Sequence, residues 1–187
     1  MLDGGFTAPL RYRSGEVTIS PWSGQSLFYP LKQFGLNNLA AAPPTANLVI
    51  FVPFWVPDPF TITYLWWANG AGVAGDLDAG VYAEDGTLLV SAGTTAQAGA
   101  SQIQNVNVTD TIIGRGRYYM ALVCSTVTTL TVPRVVPVAG ICQGLGLLQQ
   151  ASVTLPLATN ASPATFAACT TAWIPLFGLR GYVGVGL

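Results

Sequence analysis

Apolar and polar residues alternate along this chain far more often than they recur at helical spacing. Leu77, Ala79, Val81 and Ala83 share one parity, and Asp78, Tyr82 and Glu84 share the other, which predicts a strand with two different faces. Phe60 to Ala68 alternates Thr61 and Thr63 with Ile62 and Tyr64 before ending in Trp66-Trp67. Asn47 to Pro53 is β-branched and aromatic, and Val17 to Ser20 is a shorter strand candidate. Asp85-Gly86 predicts a hairpin with a type I′ turn, from which Thr87 to Ser91 returns. Ser101 to Thr109 is the next strand. Its apolar parity slips between Ile103 and Val106, which predicts a bulge near Gln104-Asn105. After the Gly114-Arg115-Gly116 turn, Arg117 to Ser125 forms a long aromatic strand, Val127 to Val132 follows, and Pro133 to Pro137 breaks it.

Seven or more short strands with turn residues between them and no helical spacers read as an all-β, antiparallel sandwich. Residues 47–132 form the expected compact core. Residues 1–46, rich in Gly, Pro and Asn, form an N-terminal extension. Residues 133–187 are apolar and turn-rich, with Arg134 and Arg180 as their side-chain charges, and form a C-terminal extension or additional strands. At 187 residues the chain suits one domain with such arms and buries enough surface to need no staple.

Composition narrows the functional classes. Charged residues make up 8% of the chain, against about 25% in an ordinary soluble domain. Histidine is absent, which removes the Ser-His-Asp triad, the Cys-His dyad and imidazole metal ligands. Seven Lys and Arg against eight Asp and Glu leave no basic field for a nucleic-acid backbone. No apolar run reaches the roughly 20 residues of a spanning helix. The start, Met1-Leu2-Asp3-Gly4-Gly5, lacks the basic and apolar regions of a signal peptide, so synthesis in a reducing cytoplasm is expected. Cys124, Cys142 and Cys169 then read as buried small thiols; an odd count with no CxxC and no His argues against zinc. The apolar surplus is expected to meet other subunits.

Few residues carry candidate chemistry. Asp76, Asp78, Glu84 and Asp85 form the one acidic cluster in the sequence. Calcium ligands and a glycosidase carboxylate pair are alternatives to the preferred reading, solvated structural carboxylates around a hairpin. Trp66 and Trp67 must point to opposite faces of their strand, so one is expected in the core and the other against a neighbour or ligand. Tyr118 and Tyr119 behave alike. These four are the candidate ligand or interface residues; Trp55, Trp22 and Trp173 are further aromatics. Arg115 and Arg117 flank Gly116 and are expected to pair with Asp110. No catalytic residue, cofactor site or metal site is assigned, and the expectation is that the protein is not an enzyme.

Residues 75–125 resemble a β-sandwich module of tailed-bacteriophage virion proteins of the head-decoration, fibre and tail-associated kinds. The resemblance rests on Gly75-Asp76-Leu77-Asp78-Ala79-Gly80-Val81-Tyr82, on Glu84-Asp85-Gly86-Thr87-Leu88-Leu89, and on Gly116-Arg117-Tyr118-Tyr119-Met120-Ala121-Leu122. Ala83 stands where that pattern has an acidic residue, and Arg115 where it often has Pro. The resemblance implies a jelly-roll-like sandwich and a place on a virus particle assembled in a bacterial host cytoplasm. The resulting expectation is a non-enzymatic virion protein, a homotrimer whose extended N- and C-terminal arms wrap neighbouring subunits and other virion proteins. The alternative is a module that reads a host-surface glycan with Trp66, Trp67, Tyr118 and Tyr119.

Overall fold

The structure is a computed structural model that describes residues 16–19, 40–42, 45–125, 129–135, 139–161, 166–170 and 174–183. Trp22 and Trp173 lie outside the described residues. Among those described, the chain is mostly β, and every strand pairing is antiparallel. A four-stranded sheet contains, in spatial order, β1 (Glu16–Ile19), β14 (Phe177–Val183), β4 (Phe60–Ala68) and β8 (Ile103–Ile113). A large sheet runs β12 (Ala167–Ala168), β11 (Leu148–Gln150), β3 (Val49–Val56), β9 (Gly116–Cys124), β5 (Asp76–Ala83) and β6 (Leu88–Ser91), with β7 (Thr95–Ala96) also on β5. A small sheet joins β13 (Ile174–Pro175), β10 (Val132–Val135) and β2 (Ala40–Ala42).

The two larger sheets share one core. Ile50, Val52, Phe54 and Val56 from β3 and Leu77, Ala79 and Val81 from β5 meet Phe60, Ile62, Leu65 and Trp67 from β4. The remaining parity of the large sheet is also buried. Val49, Phe51, Tyr82, Tyr119, Ala121 and Val123 form a second cluster on its outer face. A strand covered on both faces reads as a continuous apolar run, which is why β3 has the sequence VIFVPFWV. Pro53 is tolerated because the β11 pairing ends at Phe51, so β3 has one neighbour at Pro53.

The outer cover of the large sheet is the segment 151–161, here called the strap. It brings Leu157 and Ala161 into the second cluster, with Val153, Leu155 and Phe166 packed against it. Backbone bonds hold the strap: Val153 N to Asn47 O at 3.0 Å, Leu88 N to Thr159 O at 2.9 Å, and Ala161 N to Gly86 O at 2.8 Å. A bridge between Thr87 and Asn160 closes the free edge of β6. Gly80 lies beneath the strap, where an added Cβ would meet Leu157 Cδ1 at 2.8 Å.

At one end of the molecule two strands change sheet together. Val56 pairs with Gly116 in the large sheet; beyond the Pro57-Asp58-Pro59 corner, Phe60 pairs with Ile113 in the four-stranded sheet. The described part of residues 133–187 supplies β11 to β14, and the expected boundary after residue 132 falls inside β10. β14 sits between β1 and β4, and its register with β4 shifts at Arg180/Gly181, where Thr63 of β4 is the extra residue. A Cβ on Gly181 would lie 1.8 Å from Thr61 O, so only glycine fits this close approach.

Several sequence expectations are corrected. The Asp85-Gly86 hairpin is present, but among the described residues of its turn only Gly86 has positive φ, at 90°, and Gly86 N bonds to Ala83 O at 3.0 Å. It is therefore a turn followed by a left-handed glycine, not type I′, which needs positive φ at both central residues. The irregularity in β8 lies at residues 108–110, opposite Thr63, rather than at Gln104-Asn105. Pro133 sits within β10 instead of ending a strand. One short helix, α1 (Ala139–Gly144), appears where none is expected. It closes with Leu147 N to Cys142 O at 3.0 Å and Gly146 N to Gln143 O at 2.9 Å, with Gly146 at φ 73°. That is a Schellman C-cap with glycine in its left-handed position.

Candidate interaction surface

The four aromatic candidates do not form one site. Trp67 is fully buried in the inter-sheet core. Trp66, on the opposite parity, is 8% exposed, and Gly178 and Asn105 occupy the register positions beside it. The indole nitrogens of both are buried without a hydrogen-bond partner among the described residues. Tyr119 faces the second cluster, edge-on to Phe166 with centroids 6.2 Å apart and with the Arg117 guanidinium 5.4 Å from its ring. Tyr118 packs from the other side against the inter-sheet core, beside Phe54, and its hydroxyl donates to Gly114 O at 3.0 Å. Trp67 and Tyr119 thus offer no open ring face on which a sugar could stack, and Trp66 is nearly covered.

The acidic residues also go separate ways. Asp78 is fully buried. Its carboxylate accepts from the Ser91 hydroxyl at 2.8 Å and from the strap's Leu157 N–H at 2.8 Å. Burial pushes the Asp78 carboxyl above its ordinary value, and the bonds from Leu157 and Ser91 pull it part of the way back. Next to it the Tyr82 hydroxyl donates to Ala158 O at 2.8 Å. Burial first, and the nearby Asp78 second, raise the Tyr82 phenol. Asp85 is held below its ordinary value by the Thr87 N–H that it accepts at 2.9 Å, an Asx-type turn bond. Glu84 lies 3.7 Å from Arg117 of the neighbouring β9, so Arg117 pairs with the end of β5 rather than with Asp110. Among the described residues no three His, Cys, Asp or Glu side chains converge to hold a metal ion.

What is exposed instead is the rim of the outer face of the four-stranded sheet, since Trp66 and Ala68 at outward positions of the same face are buried. Outward positions follow from the register. Tyr182, Thr61 and Ile112 form one cross-strand row, Arg180, Tyr64 and Asn107 the next, and Ala68 and Ile103 lie at the far end. Ile112 is 67% exposed, Ile103 57% and Tyr182 51%, three of the four large hydrophobic side chains exposed among the described residues. The fourth, Trp55, stands at the open end of the large sheet. The Arg180 guanidinium lies 4.4 Å from the Tyr64 ring centroid. A shallow hollow of about 240 Å³ is lined by Trp66, Ile103, Asn105 and Arg180.

Sequence reasoning did not single out Ile103, Ile112, Tyr182, Tyr64 or Arg180. The usable signal was the polar run in β8, where Gln104, Asn105, Asn107, Thr109 and Asp110 leave the isoleucines isolated among hydrophilic neighbours. Among the described residues no helix is long and apolar enough to cross a membrane. No protein-family model and no curated protein matches the chain.

Proposed function

We propose that the chain is a non-enzymatic structural subunit of a tailed-bacteriophage virion, of the head-decoration, fibre or tail-associated kind. On this reading it is built on a jelly-roll-like sandwich and assembles with copies of itself and with other virion proteins. The strand order supports the finer fold. The ribbon of β3 and β4, paired throughout with β9 and β8, folds across itself at one corner and places β3, β9, β5 and β6 side by side. A jelly roll is wound from such a folded ribbon. The virion-like segment 75–125 falls on β5, the hairpin and β9, so its pattern is one of turns and packing.

The observation that carries the reading is the rim of the outer face of the four-stranded sheet. It presents Ile103, Ile112 and Tyr182 to solvent on a chain with 8% charge. An apolar surface on a weakly charged protein is stable in water when a neighbouring subunit covers it. The test is the absolute mass of the full chain by light scattering, beside the double variant Ile103→Thr/Ile112→Thr. A multimer that falls toward monomer in the variant, with an unchanged circular-dichroism spectrum, supports the proposal. A wild-type chain that stays monomeric at high concentration overturns it.

A further inference from the structure

Two of the three cysteines converge. Cys142 lies on α1 and Cys169 directly follows β12, yet both are 0% exposed and belong to the same core cluster. Their backbones meet through one residue: Leu147 donates its N–H to Cys142 O at 3.0 Å and accepts from Cys169 N at 3.1 Å. The position of Cys169 is fixed further by Thr170, whose N–H donates to the Gln149 side-chain oxygen at 3.1 Å. The Gln149 amide returns a bond to the Thr170 hydroxyl at 2.9 Å. The neighbouring Cys169 thiol, together with burial, pushes the Cys142 thiol above its ordinary value. Cys124, by contrast, directs its thiol to Thr45 O at 3.5 Å.

We propose that Cys142 and Cys169 are a latent disulfide, closed by a two-electron oxidant, that ties the base of the strap. Between them in sequence lie β11, the strap over the outer face of the large sheet, and β12, which pairs with β11. A bond there closes the loop that carries the strap, which removes conformational freedom from the unfolded chain and so favours the folded, covered state.

The reaction is balanced by a mild oxidant such as diamide. Both S–H bonds break, one S–S bond forms, and two protons and two electrons convert the N=N bond of diamide to a hydrazine. The neighbouring Cys169 thiol and burial keep Cys142 protonated, so the bond forms slowly in the closed molecule and faster when the strap opens. Once formed it is shielded from reductants by the same burial. Because the pair is internal to one chain, the inference stands apart from any role of the outer sheet face.

The test uses the full chain, reduced, then treated with diamide in urea below the unfolding transition, quenched in acid, alkylated and mapped by peptide mass spectrometry. The expected result is loss of two of the three thiols. Cys142 and Cys169 peptides should be joined and lighter by two hydrogens, and Cys124 should be alkylated. Cys124→Ala should give the same cross-link, and the oxidised chain should melt several degrees above the reduced one. Three surviving thiols, a disulfide that uses Cys124, or a bond between two chains each overturn the assignment. A Cys142–Cys169 bond that leaves the melting point unchanged overturns its role in holding the strap.

Discussion

Phe51 and Tyr82 lie under the strap and are almost fully buried, whereas Ile112 and Tyr182 stand at outward positions on the four-stranded sheet and are more than half exposed. Both faces carry large apolar side chains. The large sheet has a segment of its own chain above it, with Phe166 stacked on Phe51 at 4.0 Å and the Asp78 carboxylate pinned to Leu157. The treatment of edges follows the same division. The β6 edge is closed by Thr159 and Asn160 of the strap, while β8, the edge of the four-stranded sheet, is eleven residues long with one charge, Asp110. The difference teaches that apolar content alone does not locate a core. One face is covered by its own chain, and the other leaves large apolar side chains exposed at its rim.

The comparison is tested most strongly by deleting one side chain from each face. Phe51→Ala should lower the unfolding free energy by about 3–5 kcal/mol, because it empties a packed site. Tyr182→Ala should change it by about 0.5 kcal/mol or less. Urea titrations measure both, and equal costs would show that the two faces do not differ.

A smaller effect is expected where the strap is pinned. Asp78→Leu leaves the Leu157 N–H and the Ser91 hydroxyl without their acceptor, a loss of about 2 kcal/mol. Hydrogen exchange at the Leu157 amide should speed up with it. Asp78→Asn keeps an acceptor oxygen and isolates the charge. The folded-state pKa of Asp78 is raised above its unfolded value, so the folded chain holds that proton more tightly. The contribution of Asp78 is greatest at acid pH and falls as pH rises from the unfolded value, 3.8, to the raised folded one, then levels off. Thermal midpoints of wild type minus Asp78→Asn should fall across that window; a difference independent of pH would contradict the buried carboxylate. The smallest effect on folding belongs to Ile103→Thr/Ile112→Thr, which should alter stability by about 0.5 kcal/mol while lowering the assembled mass.

How much was legible in the sequence follows the same division of faces. β5 was readable because Leu77, Ala79 and Val81 keep one parity and the core takes it, whereas in β4 the core switches parity at Thr63, from Phe60 and Ile62 to Leu65 and Trp67, which alternation alone did not show. The predicted bulge in β8 was misplaced because Ile103 was counted as a core residue. Ile103 points outward, so residues 103–107 alternate regularly and the true slip comes after Asn107. The turn at Asp85-Gly86 was found by its residues, but its type depended on the ladder, which shifts register between Val81 and Tyr82. α1 is six residues long, too short for a 3.6-residue period to register, although Gly146 was a usable stop signal. The strap was invisible, since Val153, Leu155 and Leu157 read as an apolar flank until their partners across the sheet are known. Of the site candidates, the sequence placed Trp66 and Trp67 on opposite faces, as the structure has them. It had no means of showing that Trp66 would be nearly covered as well.

The position of β14 bears on how the molecule is made. β4 pairs with Phe177–Val183 along nearly its whole length, more than a hundred residues later in the chain. Ribosomes add about 5–20 residues per second, so β4 emerges several seconds before its neighbour does. Through that interval it waits with one edge unpaired and with Phe60, Ile62, Leu65 and Trp67 still short of Leu179 and Phe177. The four-stranded sheet therefore closes only once residue 183 has left the exit tunnel, and pairing over so long a separation is slow. During synthesis the nascent chain passes through a state with a sticky, half-built sheet, in which a holding chaperone or a rapid supply of the remaining residues decides between folding and aggregation.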